Sequence, residues 1–81
     1  MRLHEVRVPK WGLSIEQVMI VAWLHAEGDA VAEGDGLCEV STDKAETQIE
    51  APVAGTIVEI SGEVGGEYDV GAVIATIEVA D

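Results

Sequence analysis

The sequence predicts an all-β domain built from two similar sheets, and three observations support this prediction. Short runs alternate apolar with polar residues, glycines recur at turn positions, and residues 21–40 match residues 58–77 without gaps at an offset of 37. Alternation is typical of strands with one buried face. Two strand-turn-strand units that cannot bury an apolar face alone can cover each other, so the repeat indicates two sheets related by pseudo-twofold symmetry.

The repeat pairs apolar residues with apolar residues and glycines with glycines. The matched positions are Val21 with Val58, Trp23 with Ile60, Gly28 with Gly65, Val31 with Tyr68, Gly34 with Gly71, Leu37 with Ile74 and Val40 with Ile77. The glycines are expected where the chain reverses, because glycine adopts positive φ angles without a steric penalty. Trp23 is expected in a core strand.

Six segments are predicted to be strands bounded by turn residues, namely residues 3–8, 20–26, 37–42, 46–51, 56–61 and 73–79. A helical signal competes with the second strand, since Ser14 and Gln17 form a capping box and apolar residues recur there at helical spacing. The repeat favours a strand, because the matching segment VEISGEVG contains an internal glycine and two valines and is a poor helix former.

Composition narrows the classes of function. The chain has 81 residues, enough for a single small domain over residues 1–81, and a formal net charge of −12. Residues 11–81 hold fifteen acidic residues and one basic residue, which argues against binding to nucleic acid or to an anionic membrane. The longest apolar run, residues 18–24, is far shorter than the ~20 residues of a membrane span.

Residues that often form reactive or metal-binding sites are sparse. Cys38 is the single cysteine, so it excludes an internal disulfide, suits a reducing cytoplasmic setting and is expected to be a small core side chain. His4 and His25 have no companion at metal-ligand spacing. The acidic residues of segment 29–35 lack the ligand order of an EF-hand calcium loop. No catalytic or metal site is predicted.

The stretch STDKAETQ, residues 41–48, holds the single basic residue that follows position 10. Strand 37–42 leads through Asp43, Lys44 and Ala45 into strand 46–51, so the lysine is predicted at a hairpin tip with its amine in solvent. A tip lysine is usually a solubilising residue. The same amine, however, is what the attachment of a carboxyl-bearing cofactor through an amide requires.

Four stretches together closely resemble a lipoyl domain in order and spacing: VPKWGLS at 8–14, EGDAVAEGD at 27–35, STDKA at 41–45 and APVAGTI at 51–57. The resemblance covers nearly the whole chain. It implies a flattened β-barrel, or barrel-sandwich hybrid, of two four-stranded antiparallel sheets. It also implies that lipoic acid is joined by an amide to Lys44 and that the domain is a carrier with no catalytic residues of its own.

The resemblance assigns roles around the lysine. Asp43 and Ala45 would mark the turn, and Gly28 and Gly55 match glycines that help a modifying enzyme read the position of the lysine. Ser41 departs from the glutamate that many lipoyl domains carry three residues before the lysine. This departure puts the efficiency of modification in question.

The loop over residues 9–17 is also expected near the lysine, as a surface that partner enzymes check. The residues expected there are Pro9, Lys10, Trp11, Gly12 and Leu13. The contacts most expected to identify a partner are those of Trp11, Gly12 and Leu13.

The implied partners are the enzymes that load and use a lipoyl arm. They are a lipoate ligase or lipoyl transferase, a thiamin-dependent decarboxylase (E1), an acyltransferase core (E2) and a dihydrolipoamide dehydrogenase (E3). In this scheme the decarboxylase passes an acyl group to the opened dithiolane, the acyltransferase removes it, and the dehydrogenase restores the disulfide. The usual context would be the acyltransferase subunit of a 2-oxo acid or acetoin dehydrogenase complex, and by resemblance the PKWGLS stretch favours the acetoin type.

Two other functions stay open at this point. Biotinyl domains share the fold and the hairpin lysine, but they resemble one another in having methionine on both sides of it, where this chain has Asp43 and Ala45. An unmodified interaction module with the same fold is the second alternative. Both an N-terminal piece of a longer acyltransferase and a free-standing protein fit the sequence.

Overall fold

The computed structural model describes residues 2–10, 17–43 and 45–80, which fold into eight β-strands. The strands are β1 Leu3–Arg7, β2 Gln17–Trp23, β3 Ala30–Val31, β4 Gly36–Ser41, β5 Glu46–Glu50, β6 Gly55–Ile60, β7 Glu67–Asp69 and β8 Val73–Val79. The predicted all-β class is confirmed, and none of the described residues forms a helix long and apolar enough to cross a membrane.

The strands form two four-stranded sheets. Sheet A has the order β1-β8-β6-β3, and sheet B has the order β5-β4-β2-β7. Every pairing is antiparallel. The predicted pair of four-stranded antiparallel sheets is therefore confirmed.

The sequence repeat reappears as symmetry of the sheets. An offset of 37 carries β2 onto β6, β3 onto β7 and β4 onto β8, and each strand occupies the same place in its own sheet as its counterpart. Irregularities repeat as well, because the register shift between Ile20 and Ala22 in β2 recurs between Ile57 and Glu59 in β6. Such a shift increases local twist, so both sheets curve at equivalent points.

The turns confirm the predicted role of the glycines. Among the described residues, positive φ angles occur at Gly28, Gly34, Gly65 and Gly71, with values between 87° and 94°. These are the glycines that the repeat aligned. A residue with a Cβ atom would be strained in each of these turns.

The inner faces of the two sheets form one apolar core. Its fully buried large side chains come from both sheets: Val6, Val8, Val18, Ile20, Leu37, Val40, Ile49, Ile57, Ile74 and Ile77. Cys38 is buried among them, as predicted. Trp23 packs against this core while remaining partly exposed, and its indole Nε1 donates a hydrogen bond of 2.8 Å to the carbonyl of Gly62.

Five of the six predicted strands differ in their bounds from the observed strands, four of them by one residue at one or both ends and the second by three residues. The strand predicted over 20–26 spans Gln17–Trp23, because Gln17, Val18 and Met19 pair with β7, a partner distant in sequence. The short strands β3 and β7 were not among the six predicted segments. Two or three residues carry too little alternation to be recognised, and their extended form depends on pairing with β6 and β2.

Candidate functional site

The hairpin formed by β4 and β5 brings three of the predicted site residues to one end of sheet B. Antiparallel pairing runs from Gly36 opposite Glu50 to Ser41 opposite Glu46, and residues 42–45 close the hairpin. Ser41, Asp43 and Ala45 therefore lie together at this end, and their role in recognition stays a prediction. Lys44 lies outside the described residues, so the direction of its side chain stays a prediction.

The described residues at this end are open to solvent. Asp43, Ala45 and Glu46 are exposed, whereas Ser41 and Thr42 are half-buried. An enzyme can reach the backbone on either side of position 44 without displacing core residues. Loops held on a rigid scaffold are common places for binding and modification, and five paired positions of β4 and β5 provide such a scaffold here.

Thr42 is a residue of this site to which the sequence analysis gave no role. Its backbone N–H donates to the carbonyl of Ala45 at 2.9 Å. Its Oγ1 donates to the same carbonyl at 2.9 Å and accepts the N–H of Ala45 at 3.1 Å. A threonine two residues before the lysine was the available signal, because threonine hydroxyls commonly bond backbone groups in turns.

A groove of about 540 Å³ runs beside the hairpin end. It is lined by Gln17, Val18, Met19, Ser41, Thr42, Asp43 and Glu67. Met19 lies between its partners Ser41 on β4 and Glu67 on β7, and 40% of its surface is exposed. The groove therefore combines an apolar thioether with two carboxylates, at the end of sheet B where Asp43 follows β4.

The outward face of sheet B is acidic. Five carboxylates project from its strands, on the side away from the core: Glu39, Glu46, Glu50, Glu67 and Asp69. The basic residues that the structure describes, Arg2, Arg7 and Lys10, belong to the N-terminal segment. Arg7 forms an ion pair of 2.8 Å with Glu5 and donates to the carbonyl of Gly71 at 2.9 Å.

The two glycines assigned to recognition lie with sheet A instead of the hairpin. Gly28 is an exposed turn residue whose amide donates to the carbonyl of Ile57 in β6 at 2.7 Å. Gly55 is buried in β6, between Val31 of β3 and Val79 of β8. The structure thus supplies a conformational reason for Gly28, its positive φ angle, and a packing reason for Gly55, and the role of both glycines in recognition stays a prediction.

The predicted partner loop is described in part. Pro9 and Lys10 are exposed. Trp11, Gly12 and Leu13 lie outside the described residues, so their proximity to the lysine and their partner contacts stay predictions.

The remaining titratable groups of residues 2–10, 17–43 and 45–80 do not form a reactive or metal-binding centre. Burial raises the pKa of the Cys38 thiol to about 11, and a backbone hydrogen bond with Ile49 partly opposes that effect. The thiol is therefore protonated near neutral pH and unreactive. Asp29 accepts the N–H of Ala26 at 2.9 Å, an arrangement typical of a turn. Among the described residues, no group of three or more potential metal ligands converges.

Comparisons with known proteins agree with one another. The sequence profile of a family described as "Biotin-requiring enzyme", which covers biotin and lipoyl attachment domains, matches residues 4–77. The acetyltransferase component of the pyruvate dehydrogenase complex of Corynebacterium glutamicum is 51% identical over 73 residues, which is 90% of this chain and 11% of that protein. The acetyltransferase component of the acetoin cleaving system of Pseudomonas putida is 36% identical over 76 residues, covering 94% of this chain and 20% of that protein.

A third relative belongs to another complex of the same kind. The lipoamide acyltransferase component of the branched-chain alpha-keto acid dehydrogenase complex of Pseudomonas putida is 37% identical over 79 residues, covering 98% of this chain and 19% of that protein. The chain thus spans a fifth or less of the length of these relatives.

The fold has a solved counterpart. The lipoyl domain of the 2-oxoglutarate dehydrogenase complex of Azotobacter vinelandii superposes with a TM-score of 0.73, covering 94% of this chain and 98% of that domain at 23% identity. At that identity the likeness concerns the fold.

Proposed function

Because the chain belongs to the biotin/lipoyl attachment family, we propose that it is a lipoyl carrier domain with lipoic acid joined through an amide to Lys44. The observation that carries this proposal is the hairpin end, where exposed residues Asp43 and Ala45 flank the lysine position on a rigid pair of strands. The relatives named for lipoamide and dihydrolipoyllysine chemistry support lipoyl over other cargo.

The hairpin end suits a group that attaches through a carboxyl and must then move between enzymes. The attachment needs an amine that is accessible to a modifying enzyme, and the neighbours of position 44 are exposed. When bound, the lipoyl group supplies a disulfide that can accept an acyl group and two electrons. We assign the domain itself a carrying role, because the chemistry belongs to the lipoyl group and to the enzymes that it meets.

The paired strands β4 and β5 serve as a fixed base to which the lipoyl arm is tethered. Five paired positions hold β4 against β5, and the inward residues of both strands lie in the core, so the base of the arm is fixed. An arm on a fixed base, in a domain tied to a larger complex, meets its partner enzymes at a high effective concentration. Amide formation also removes the one positive charge of residues 11–81, which makes the whole domain more acidic.

We further propose that the domain serves the acyltransferase component of a 2-oxo acid or acetoin dehydrogenase complex. Its partners would be a lipoate ligase or lipoyl transferase, a thiamin-dependent decarboxylase, an acyltransferase core and a dihydrolipoamide dehydrogenase. The names of the relatives support this assignment, and three of them divide among pyruvate, acetoin and branched-chain complexes. A reducing cytoplasmic setting is consistent with the free, buried Cys38.

The competing cargo is biotin, which the same family also carries. The residues beside the lysine favour lipoic acid, since the methionines typical of biotinyl domains are replaced by Asp43 and Ala45. An acidic residue directly before the lysine changes both the charge and the shape that a ligase meets. The two cargoes give different masses and are separated by one experiment.

The test is the intact mass of the protein after incubation with a lipoate ligase, lipoate and ATP. A gain of one lipoyl group is expected in the wild type and in Lys10→Arg, which removes the exposed lysine of the N-terminal segment. The gain should be absent in Lys44→Arg. A parallel reaction contains biotin ligase, biotin and ATP.

Each alternative outcome has a defined meaning. A biotinyl gain that depends on Lys44 would replace the proposal with a biotin carrier. The absence of any gain with lipoate ligase, lipoyl transferase and biotin ligase would favour an unmodified interaction module.

A further inference from the structure

The hydroxyl of Thr42 accepts a hydrogen bond at the end of the hairpin that a backbone carbonyl ordinarily accepts. In a two-residue hairpin, the two residues that flank the loop usually exchange two backbone hydrogen bonds. Here the N–H of Thr42 reaches the carbonyl of Ala45 at 2.9 Å, as expected. The N–H of Ala45 instead donates to Thr42 Oγ1 at 3.1 Å, and the same hydroxyl donates back to the Ala45 carbonyl at 2.9 Å.

The backbone of Asp43 departs from the conformation found in the favoured hairpin loops. Two-residue loops that follow the twist of their strands have a positive φ angle at the first loop residue, in turn types I′ and II′ alike. Among the described residues, only glycines have positive φ angles, so Asp43 does not. The loop is therefore neither of the favoured types, and a side-chain oxygen at position 42 supplies the bond that the backbone would otherwise make.

The pseudo-twofold symmetry allows us to ask whether the sheet itself depends on a hydroxyl at position 42. The residue equivalent to Thr42 in sheet A is Val79, the last residue of β8, and the strand that pairs with β8 in the place equivalent to β5 is β1, from the other end of the sequence order. That equivalent position has no hydroxyl, so the sheet architecture does not require one. The bonds of the hydroxyl connect the two residues that flank the loop, Thr42 and Ala45.

We propose that Thr42 is a positioning residue, whose hydroxyl fixes Ala45 and thereby orients residue 44 for the enzymes that act on it. The proposal rests on the proposed function, since it takes Lys44 as the attachment site. The backbone pairing of Ser41 with Glu46 does not involve the Thr42 hydroxyl. Loss of the Thr42 hydroxyl should therefore loosen the loop and leave the sheet intact. A loosened loop presents the amine correctly for a smaller fraction of the time, and the apparent affinity for a partner falls by that fraction.

Enzymatic transfer to the lysine amine should be far more sensitive to loss of the Thr42 hydroxyl than chemical acylation, which requires only that the amine is exposed. Reacting atoms must approach to about 3–3.5 Å in a defined direction, and a misplacement of about 1 Å can lower a rate by a factor of about 100. A small chemical acylating reagent approaches from any direction and makes no such demand. Comparing the two reactions therefore separates orientation from exposure.

The experiment compares three variants with the wild type. Thr42→Val removes the hydroxyl and keeps the shape, Thr42→Ser keeps a hydroxyl, and Thr76→Val is a control on a half-buried threonine of sheet A. For each protein, kcat/KM for the lipoate ligase is obtained from intact mass against time. Acetylation of Lys44 by a small activated ester, exchange of the Ala45 amide hydrogen and thermal unfolding are measured alongside.

Thr42→Val should lower kcat/KM about tenfold, the effect of losing roughly one hydrogen bond, and speed exchange of the Ala45 amide by a similar factor. Thr42→Ser should stay within about threefold of the wild type for the same reason. Thr76→Val should match the wild type, and chemical acetylation should be equal in all four proteins.

Three results would overturn the proposal. They are an unchanged kcat/KM in Thr42→Val, an equal loss in Thr42→Ser, and a fall in chemical acetylation parallel to the enzymatic loss. A wild type that no lipoate enzyme modifies would refute the proposed function itself, which is a different result from a modified wild type with an unaffected Thr42→Val.

Discussion

The amide of Gly28 donates a hydrogen bond of 2.7 Å to the carbonyl of Ile57, which joins a turn of one half of the chain to a core strand of the other. The symmetry-related pair repeats it, since Gly65 donates to Ile20 at 2.7 Å. Each half therefore anchors its own turn on the opposite half. The two halves of the chain are held together by reciprocal backbone bonds in addition to the core.

Replacing Gly28 by alanine should lower the free energy of unfolding by about 1–2 kcal/mol, the cost of a left-handed conformation for a residue with a Cβ atom. A Cβ atom on Gly28 would meet no other atom within 4 Å, so the effect isolates backbone strain. Urea unfolding followed by circular dichroism measures it. Gly65→Ala is the matched variant and should lose a similar amount, and unchanged stability in both would contradict the assigned turn geometry.

Replacing Gly55 by alanine should be more damaging, by about 2–3 kcal/mol, because overpacking a buried site forces the backbone to move. Its Cβ atom would overlap the backbone carbonyl of Glu78 and approach Ile77 Cγ2 to 2.8 Å. The measurement is again urea unfolding, combined with lipoylation of the protein that remains folded. If the folded fraction is lipoylated at the wild-type rate, the role of this glycine lies in packing and not in recognition by the ligase.

The thiol of Cys38 should resist alkylation in the folded protein. Burial raises its pKa from 9.0 to about 11, so the reactive thiolate is scarce at pH 8. Iodoacetamide should react at least about tenfold more slowly with folded than with urea-unfolded protein, as followed by mass. Equal rates in the two states would show that the thiol is accessible.

The same pKa predicts how stability depends on pH. Between pH 9 and 11 the unfolded thiol has lost its proton while the folded thiol keeps it, so unfolding releases protons. The contribution of Cys38 to stability is therefore complete below pH 9 and is lost as the pH rises toward 11. Urea unfolding across this range should show a steeper decline for the wild type than for Cys38→Ala, and parallel curves would contradict the shift.

Neutralising acidic residues on the outward face of sheet B should stabilise the protein slightly at low salt. Glu46→Gln and Glu67→Gln each reduce self-repulsion in a chain of net charge −12, and about 0.2–0.5 kcal/mol is expected for exposed groups. The effect is measured by thermal unfolding at low salt and at about 0.5 M salt, where charges are strongly screened. Glu5→Gln is the control, because it removes the partner of Arg7 and should bring no gain.

Much of the fold could be predicted because the signals for strands and turns lie in short stretches of sequence and occur in both halves of the chain. Alternating residues define the strand 73–79, which the structure reproduces as Val73–Val79, and the turn glycines have the predicted positive φ angles. The strand β3 could not be predicted, since Ala30 and Val31 are extended only through pairing with Thr56 and Gly55. For the same reason the start of β2 was misplaced, because Gln17 is held by Asp69.

The sequence by itself determined the all-β class, the twofold repeat, the burial of Cys38 and the hairpin around position 44, because each depends on local pattern or on chain neighbours. The tertiary structure alone decided which strands pair, that Gly55 is packed against the backbone of β8, and that the hydroxyl of Thr42 closes the loop. Those features depend on distances between groups and on backbone angles. A residue's identity limits the hydrogen bonds and contacts that it can make, but the partner it meets is set by how the two sheets assemble.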